Sequence, residues 1–348
     1  MDRKKNPFTL AFGMKPKQFV PRYQQMDEII DTFNSEYPSS HFYMISGLSG
    51  AGKTVMMACA AEELRENKDW IVIGLNVNRD ILKSLAARLY DEPVLKPFIL
   101  EAKIDLSLLG IGVSIENSNK ISDVENAIIQ LLKIIKKLKK KVLITIDDVS
   151  NNEAMRAFFS AFTIFISEGY PIYLLMTGIY ENIFELQNEK TLTFLFRAPR
   201  IEMTSLNIGA IADSYKSVFG IDDKKALEMA HKTKGYSYAF QVLGYMTWLY
   251  SEESDKQIEK RVSDYLGEYS YFKIWYELSE KDKEVVSIMA NKDLDTVKDI
   301  RDEMKLESNA FSVYRSRLMR KGVLLSRGYR KLEFALPYFK EFVLNQYE

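Results

Sequence analysis

Eight consecutive residues, Gly47-Leu48-Ser49-Gly50-Ala51-Gly52-Lys53-Thr54, fit the pattern G-x-x-x-x-G-K-[S/T]. Such spacing suits a polyphosphate. Glycines let successive backbone N–H groups converge on phosphate oxygens, and a following helix start adds positive dipole. The Lys53 ammonium reaches the β and γ phosphates, and the Thr54 hydroxyl can serve a magnesium ion, with Val55 completing the turn. A short apolar run (41–47) precedes the motif and a small-residue-rich helical stretch (54–66) follows it. That strand–loop–helix context separates it from a chance match in a glycine-rich turn.

A phosphate loop alone cannot neutralise a nucleoside triphosphate. A carboxylate on a neighbouring strand is needed, and VLITID (142–147) followed by Asp148 supplies two. Asp147 is expected to hold Mg²⁺, and Asp148 stands where a residue can polarise the attacking water. The competing reading is a pair of turn aspartates closing a buried strand. PIYLLMTG (171–178) ends in Thr177, placed to hydrogen-bond a γ-phosphate or the water, or simply to close a turn. Arg197 lies just before, and Arg200 at the start of, the last short strand, RIEM (200–203). One of them, Arg197 preferred, could reach a neighbouring subunit's γ-phosphate as an arginine finger; an internal ion pair is the alternative.

The elements that must position these groups follow from pattern. Helices are expected at 26–35, 54–66, 79–89, 124–138 and 154–167, and strands at 41–47, 70–77, 142–147, 171–178 and 200–203. Alternating strands and helices imply a parallel sheet covered on both faces. KIDLSLLGIGVSIE (103–116) alternates around Gly110 and reads as an inserted β-hairpin or long bent strand. After Leu206 the strands stop, and helices are expected at 208–219, 224–234, 238–250 and 258–266. Prolines at 7, 16 and 21 make the segment 6–25 extended, draped over other elements.

Composition sets the class. With 348 residues, two or three domains are expected; 47% hydrophobic and 28% charged residues are globular values, and only 16 Gly and 9 Pro favour long helices over turn-rich β architectures. Lys plus Arg balance Asp plus Glu at 48 each, so any nucleic-acid contact must come from a local patch. A single cysteine, Cys59, forbids an internal disulfide and a cysteine-based zinc site, and a reducing cytosol fits. The basic N-terminus lacks an apolar stretch, so export is not expected, and Gly169 and Pro171 split the most apolar window into pieces too short to span a bilayer.

Near the C-terminus three helices (278–290, 296–305 and 308–322) precede an alternating stretch, 323–336, turning at Gly328. Residues 277–307 carry six Lys/Arg against ten Asp/Glu. Residues 308–331 carry Arg315, Arg317, Arg320, Lys321, Arg327, Arg330 and Lys331 with no acid. The order of elements resembles a winged helix-turn-helix. A third helix in the major groove and a wing on the backbone would place Ser308, Ser312, Arg315, Arg317, Arg327, Arg330 and Lys331 against double-stranded DNA. The alternative is a winged helix that contacts protein.

Phosphate loop, IDD strand, Thr177, pre-strand arginines and helical lid together resemble the AAA+ superfamily, in the branch holding origin-recognition ATPases and the related signal-transduction (STAND) ATPases. The resemblance covers roughly residues 6–348. It implies a P-loop α/β domain (1–205), an all-α lid (206–268) and a winged-helix domain (269–348), with ATP or ADP and Mg²⁺ bound and assembly with itself on ATP. It assigns catalysis to Lys53, Asp148, Thr177 and Arg197, and the metal to Thr54 and Asp147. Nucleotide contacts fall to Gly47, Ser49, Gly50, Ala51, Gly52, Lys53, Thr54 and Val55. FVPR (19–22) resembles the stretch that contacts adenine, so Val20, Pro21 and Arg22 join that set, as do Tyr236 and Ser237 from the lid. Two departures stand out. Asp148 is one methylene shorter than the usual Glu, implying slow or partner-gated hydrolysis, and Tyr238 stands where a lid arginine is usual, with Ser237 in place of the STAND proline.

Overall fold

The computed structural model describes residues 5–11, 16–114 and 119–346. The chain divides into two compact units. One comprises Arg22–Ser46 and Lys53–Glu202; the other comprises Met1–Pro21, Gly47–Gly52 and Met203–Glu348.

The first unit is α/β. Its elements are α1 (Tyr23–Asn34), β1 (Phe42–Ser46), α2 (Lys53–Glu66), β2 (Trp70–Leu75), α3 (Ile81–Tyr90), α4 (Lys96–Glu101), β3 (Ile104–Asp105), β4 (Asn119–Lys120), α5 (Val124–Lys137), β5 (Lys141–Ile146), α6 (Glu153–Ser167), β6 (Ile172–Gly178), α7 (Tyr180–Gln187) and β7 (Arg200–Glu202). Five parallel strands run in the order β2-β5-β6-β1-β7. All seven β6 residues are buried, as a central strand covered on both faces requires. Helix α5 turns Ala127, Ile128, Leu131, Leu132 and Ile135 inward at helical spacing, and Asp123 caps it by accepting from the Asn126 N–H. Sequence periodicity places the sheet strands to within a residue or two, while α4 and α7 carry patterns too short to read.

The inserted stretch departs from expectation. Among its described residues there is no hairpin: two-residue β3 pairs in parallel with β4, and a 3-10 turn (Ser107–Leu109) follows β3. The alternation of 103–114 has another cause. Ile104, Leu106 and Ile111 are buried in the sheet's core, while Gly110 and Gly112, at φ +71° and +68°, turn the chain back. The fully buried Asp105 carboxylate accepts from the Ser107 N–H and from the Ser114 hydroxyl, closing the turn. Ile115 and Glu116 lie outside the described residues.

The second unit, apart from the loop segment Gly47–Gly52, is mainly helical: α8 (Ile208–Phe219), α9 (Asp223–Lys232), α10 (Ser237–Leu249), α11 (Asp255–Leu266), a π-turn (Gly267–Tyr271), α12 (Phe272–Tyr276), α13 (Glu280–Lys292), α14 (Val297–Glu303), α15 (Ser308–Arg320), the antiparallel pair β8 (Leu324–Ser326) and β9 (Leu332–Phe334), and α16 (Phe339–Leu344). One apolar cluster runs through it, joining Tyr215 and Phe240 with Tyr271, Val286, Phe311 and Phe339. The N-terminal strap belongs here. Phe8 is 2% exposed and packs against Tyr215, Phe219 and Phe240. Gly244 makes room for it, since a Cβ there would lie 2.5 Å from the Phe8 ring. Gln241 accepts from the Thr9 N–H and donates to the Gln18 carbonyl, and the Gln18 N–H donates to the Pro7 carbonyl, so in place of one extended path residues 7–9 and 18 are held beside each other at α10. Among the described residues no helix is long and apolar enough to cross a membrane.

The strap is therefore core. Phe8→Ala should destabilise the helical unit by about 3 kcal/mol, read as a lowered urea midpoint.

Candidate functional site

Within the α/β unit, the carboxyl ends of β5 and β6 and the first turn of α2 bring together Asp147, Asp148, Thr177 and Thr54. The Thr54 hydroxyl donates to both carboxylate oxygens of Asp147, at 3.0 and 2.9 Å. The fully buried Thr177 hydroxyl donates to Asp147 Oδ1 and accepts from the Asp148 N–H at 3.1 Å. Topology explains the meeting. Strand β5 is not adjacent to β1; β6 lies between them, so Thr177 stands midway and Ile45 pairs with it in register. Thr177 thus fixes the carboxylate of Asp147 directly, a role its position at a strand end did not announce.

Asp148 is exposed and left-handed, with φ +53°. Its side chain leaves the strand line, while the buried Val149 N–H returns to the Thr177 carbonyl at 2.8 Å. Aspartate tolerates this conformation better than most residues, and strain of this kind collects at functional positions. Arg200 is engaged by Glu202 at 2.8 Å and lies over the Tyr180 ring. Arg197 is exposed and has no side-chain partner among the described residues. Arg22, just ahead of α1, is partly buried, and that burial lowers the pKa of its guanidinium. Cys59 is buried, and the His41 ring stacks on Tyr173 while its Nδ1 meets the Ile172 carbonyl.

Within the helical unit, the segment Gly47–Gly52 is shaped by its neighbours. Gly50 and Gly52 have φ of +78° and +93°, which a side chain would strain. The Tyr236 hydroxyl donates to the Ser49 carbonyl at 2.7 Å, and the Ser237 hydroxyl donates to the Ala51 carbonyl at 2.9 Å. Amides that converge on an anion leave their carbonyls facing the other way. Tyr236 and Ser237 are thereby placed on the carbonyl side of the loop, as its support. Val20 packs against the helical core from the strap. A separate cavity of about 440 Å³ is lined by Lys232, Glu259, Leu336 and Tyr338 among others, and by no loop residue.

The basic residues of the C-terminal part divide sharply. Arg317 forms a bidentate pair with Asp282, which is fully buried, and also donates to the Ser279 hydroxyl. Lys331 pairs with Asp295 at 2.7 Å. Arg327 is exposed, 3.6 Å from Glu333; Arg330 lies over the Tyr329 ring; Ser308 and Ser312 are exposed on α15. Arg315 is half-buried, with its Nε lacking a hydrogen-bond partner among the described residues. Charge counting could not separate these, because Asp282 lies 35 residues before Arg317 in sequence.

Residues 270–343 match a family described as a domain of unknown function, DUF8462. A search of curated protein sequences finds no match. The fold is similar to that of a Walker-type ATPase of Pyrococcus abyssi, at 12% identity and a TM-score of 0.65, covering 97% of this chain and 99% of that one. It is similar also to the ORC2 protein of Aeropyrum pernix in its ADPNP-ADP complexes, at 12% identity and a TM-score of 0.62, with 96% of each chain covered.

Two substitutions probe these arrangements. Thr177→Val keeps the shape but strands the Asp148 N–H and leaves Asp147 Oδ1 with only the bond it shares from Thr54, and should cost about 1–3 kcal/mol in denaturant unfolding. Arg317→Ala leaves the Asp282 carboxylate buried without its partner and should cost about 3 kcal/mol or more in the same measurement.

Proposed function

We propose that this chain, which has the fold of the AAA+ P-loop ATPases in the form seen in archaeal origin-recognition proteins, binds ATP with Mg²⁺ and hydrolyses it slowly, as a nucleotide-driven switch. The observation that carries this reading is the Thr54–Asp147–Thr177 cluster at the strand ends, directly following a complete phosphate-loop motif. Its donors suit the ion: Mg²⁺ prefers oxygen ligands, few carboxylates and substrate phosphates, and a hydroxyl beside one carboxylate is such a set.

In this mechanism the loop amides and the Lys53 ammonium hold the β and γ phosphates of ATP. Thr54 and Asp147 would hold the ion, with Thr177 keeping the carboxylate in place. When bound, Mg²⁺ neutralises charge on the β and γ oxygens. The exposed Asp148 orients a water and accepts its proton as the water oxygen bonds to the γ-phosphorus and the bridge to ADP breaks, releasing ADP and phosphate. Asp148 is short for this task, consistent with slow turnover. Arg197, exposed and without a side-chain partner among the described residues, serves a neighbouring copy's γ-phosphate in an ATP-dependent oligomer. Val20, Pro21 and Arg22 form the base side of the site.

The three helices and hairpin of the C-terminal part are proposed as a winged helix that contacts double-stranded DNA. Arg315, Arg327 and Arg330 supply the phosphate contacts, with Ser308 and Ser312 toward the groove. Arg317 and Lys331 are already paired, which favours a small patch and leaves protein contact as the rival reading. We place the protein in the cytoplasm, with domain limits near residues 205 and 268.

Calorimetry with a nonhydrolysable ATP analogue and magnesium should show binding that Lys53→Ala weakens by at least about tenfold. No heat of binding in the unaltered protein would remove the nucleotide reading. For DNA, anisotropy of a labelled duplex should fall steeply with added salt, and replacing Arg315, Arg327 and Arg330 together by Ala should flatten that slope. Arg317 is left intact, because its loss acts on folding. Absence of duplex binding with or without ATP transfers the C-terminal part to the protein-contact reading.

A further inference from the structure

The residues that support the phosphate loop do not stop at the lid. Tyr236 is 6% exposed, and its hydroxyl has two neighbours: the Ser49 carbonyl at 2.7 Å and the Ser270 hydroxyl at 2.8 Å. Burial raises the phenol's pKa, so it remains protonated. A carbonyl cannot donate. The single phenolic proton therefore goes to Ser49, and Ser270 must donate to the Tyr236 oxygen, giving one directed chain from Ser270 through Tyr236 to Ser49.

Ser270 lies in the π-turn between α11 and α12, at the start of the segment that matches DUF8462. Single π-turns inside helices mark functional positions more often than chance. The residue after it, Tyr271, is fully buried, donates to the Pro337 carbonyl and packs edge-on to Phe339 and Phe342. Adjacent residues of one turn thus hold the phosphate loop on one side and the C-terminal elements on the other. Leu48 of the loop also packs against this unit's apolar cluster, with Gly322, just past α15, nearby: a Cβ there would lie 3.7 Å from the Leu48 Cβ. At Gly50 any side chain would strike the Tyr236 hydroxyl, 2.2 Å from the Cβ position.

We infer that Tyr236 is a positioning residue for the phosphate loop and that the Ser270–Tyr236–Ser49 chain couples the loop to the C-terminal part of the protein. Its physical content is orientation. Holding the Ser49 carbonyl outward fixes the Ser49–Gly50 peptide plane, so that the Gly50 N–H is turned the opposite way, toward a phosphate. A shift of the C-terminal part that withdraws Ser270 loosens that carbonyl, and bound nucleotide resists the shift by the same amount, since coupling between two sites is reciprocal. The value for nucleotide control rests on the function proposed above; the coupling itself does not.

The test uses the full chain. Hydrogen–deuterium exchange of the peptide 47–54, without nucleotide, should quicken by roughly tenfold in both Tyr236→Phe and Ser270→Ala. Ser270→Thr, which keeps a hydroxyl, should restore slow exchange. Because the two groups act in series, the double variant should be no faster than Tyr236→Phe alone. Ser270→Ala also leaves the tyrosine ring in place, so it decides the matter if Tyr236→Phe folds poorly. In a second readout, release of a fluorescent ADP should be about five- to tenfold faster in each single variant and unchanged in Ser270→Thr. Loop exchange equal to the unaltered protein's in Ser270→Ala, or effects that multiply in the double variant, overturns the inference. Failure of the unaltered protein to take up ADP would instead count against the proposed function, with the exchange experiment still deciding the coupling.

Discussion

Backbone amides can point at one anion only if their carbonyls point elsewhere and are satisfied there. That constraint organises this molecule. Gly50 and Gly52 supply the positive φ angles of the loop, and the Ala51 N–H turns back to the Leu48 carbonyl between them. Tyr236 and Ser237 then supply hydroxyl donors for the outward carbonyls of Ser49 and Ala51. Gly235 sets those two hydroxyls in place: at φ +73° its Cα approaches so closely that a Cβ would lie 2.7 Å from the Leu206 carbonyl, and its own carbonyl accepts from the Leu206 N–H. A glycine that looks like loop punctuation in sequence is thus part of the phosphate loop's support.

The other half of the chemistry obeys a different constraint, the order of strands. A carboxylate at the end of β5 and a threonine at the start of α2 meet because β6 lies between β1 and β5 and ends level with both. Thr177 fills that gap with a hydroxyl that donates to Asp147 and accepts from the Asp148 backbone. Its burial makes the arrangement rigid, because an unpaired hydroxyl or carboxylate at that depth would be costly. Asp148, by contrast, is exposed and left-handed, free of that network except through its own N–H.

Much of the fold was legible because buried parallel strands and amphipathic helices write their periods into the chain. β5 and β6 stand out as apolar runs, and α5 as a stripe with a capping aspartate. The inserted stretch at 103–114 misleads for a physical reason: its apolar residues alternate in sequence, but Ile104, Asp105 and Leu106 are buried in succession and a capped turn with two left-handed glycines takes the place of a strand. The C-terminal charge pattern misleads in part as well. Seven cations in a row of 24 residues suggest one face, but Arg317 and Lys331 are neutralised by acids from α13 and the turn before α14.

What the sequence determined by itself is local. The eight-residue loop motif, the paired aspartates and the helices that follow residue 206 are set by residue type and short-range spacing, where backbone preference and period suffice. Tertiary structure decided the pairings between residues far apart in the chain: Thr177 with Asp147, Asp282 with Arg317, and Ser270 through Tyr236 with Ser49. A single hydrogen bond contributes too little to leave a pattern in composition or period, and its partner is chosen only when packing brings the two groups to within 3 Å of each other.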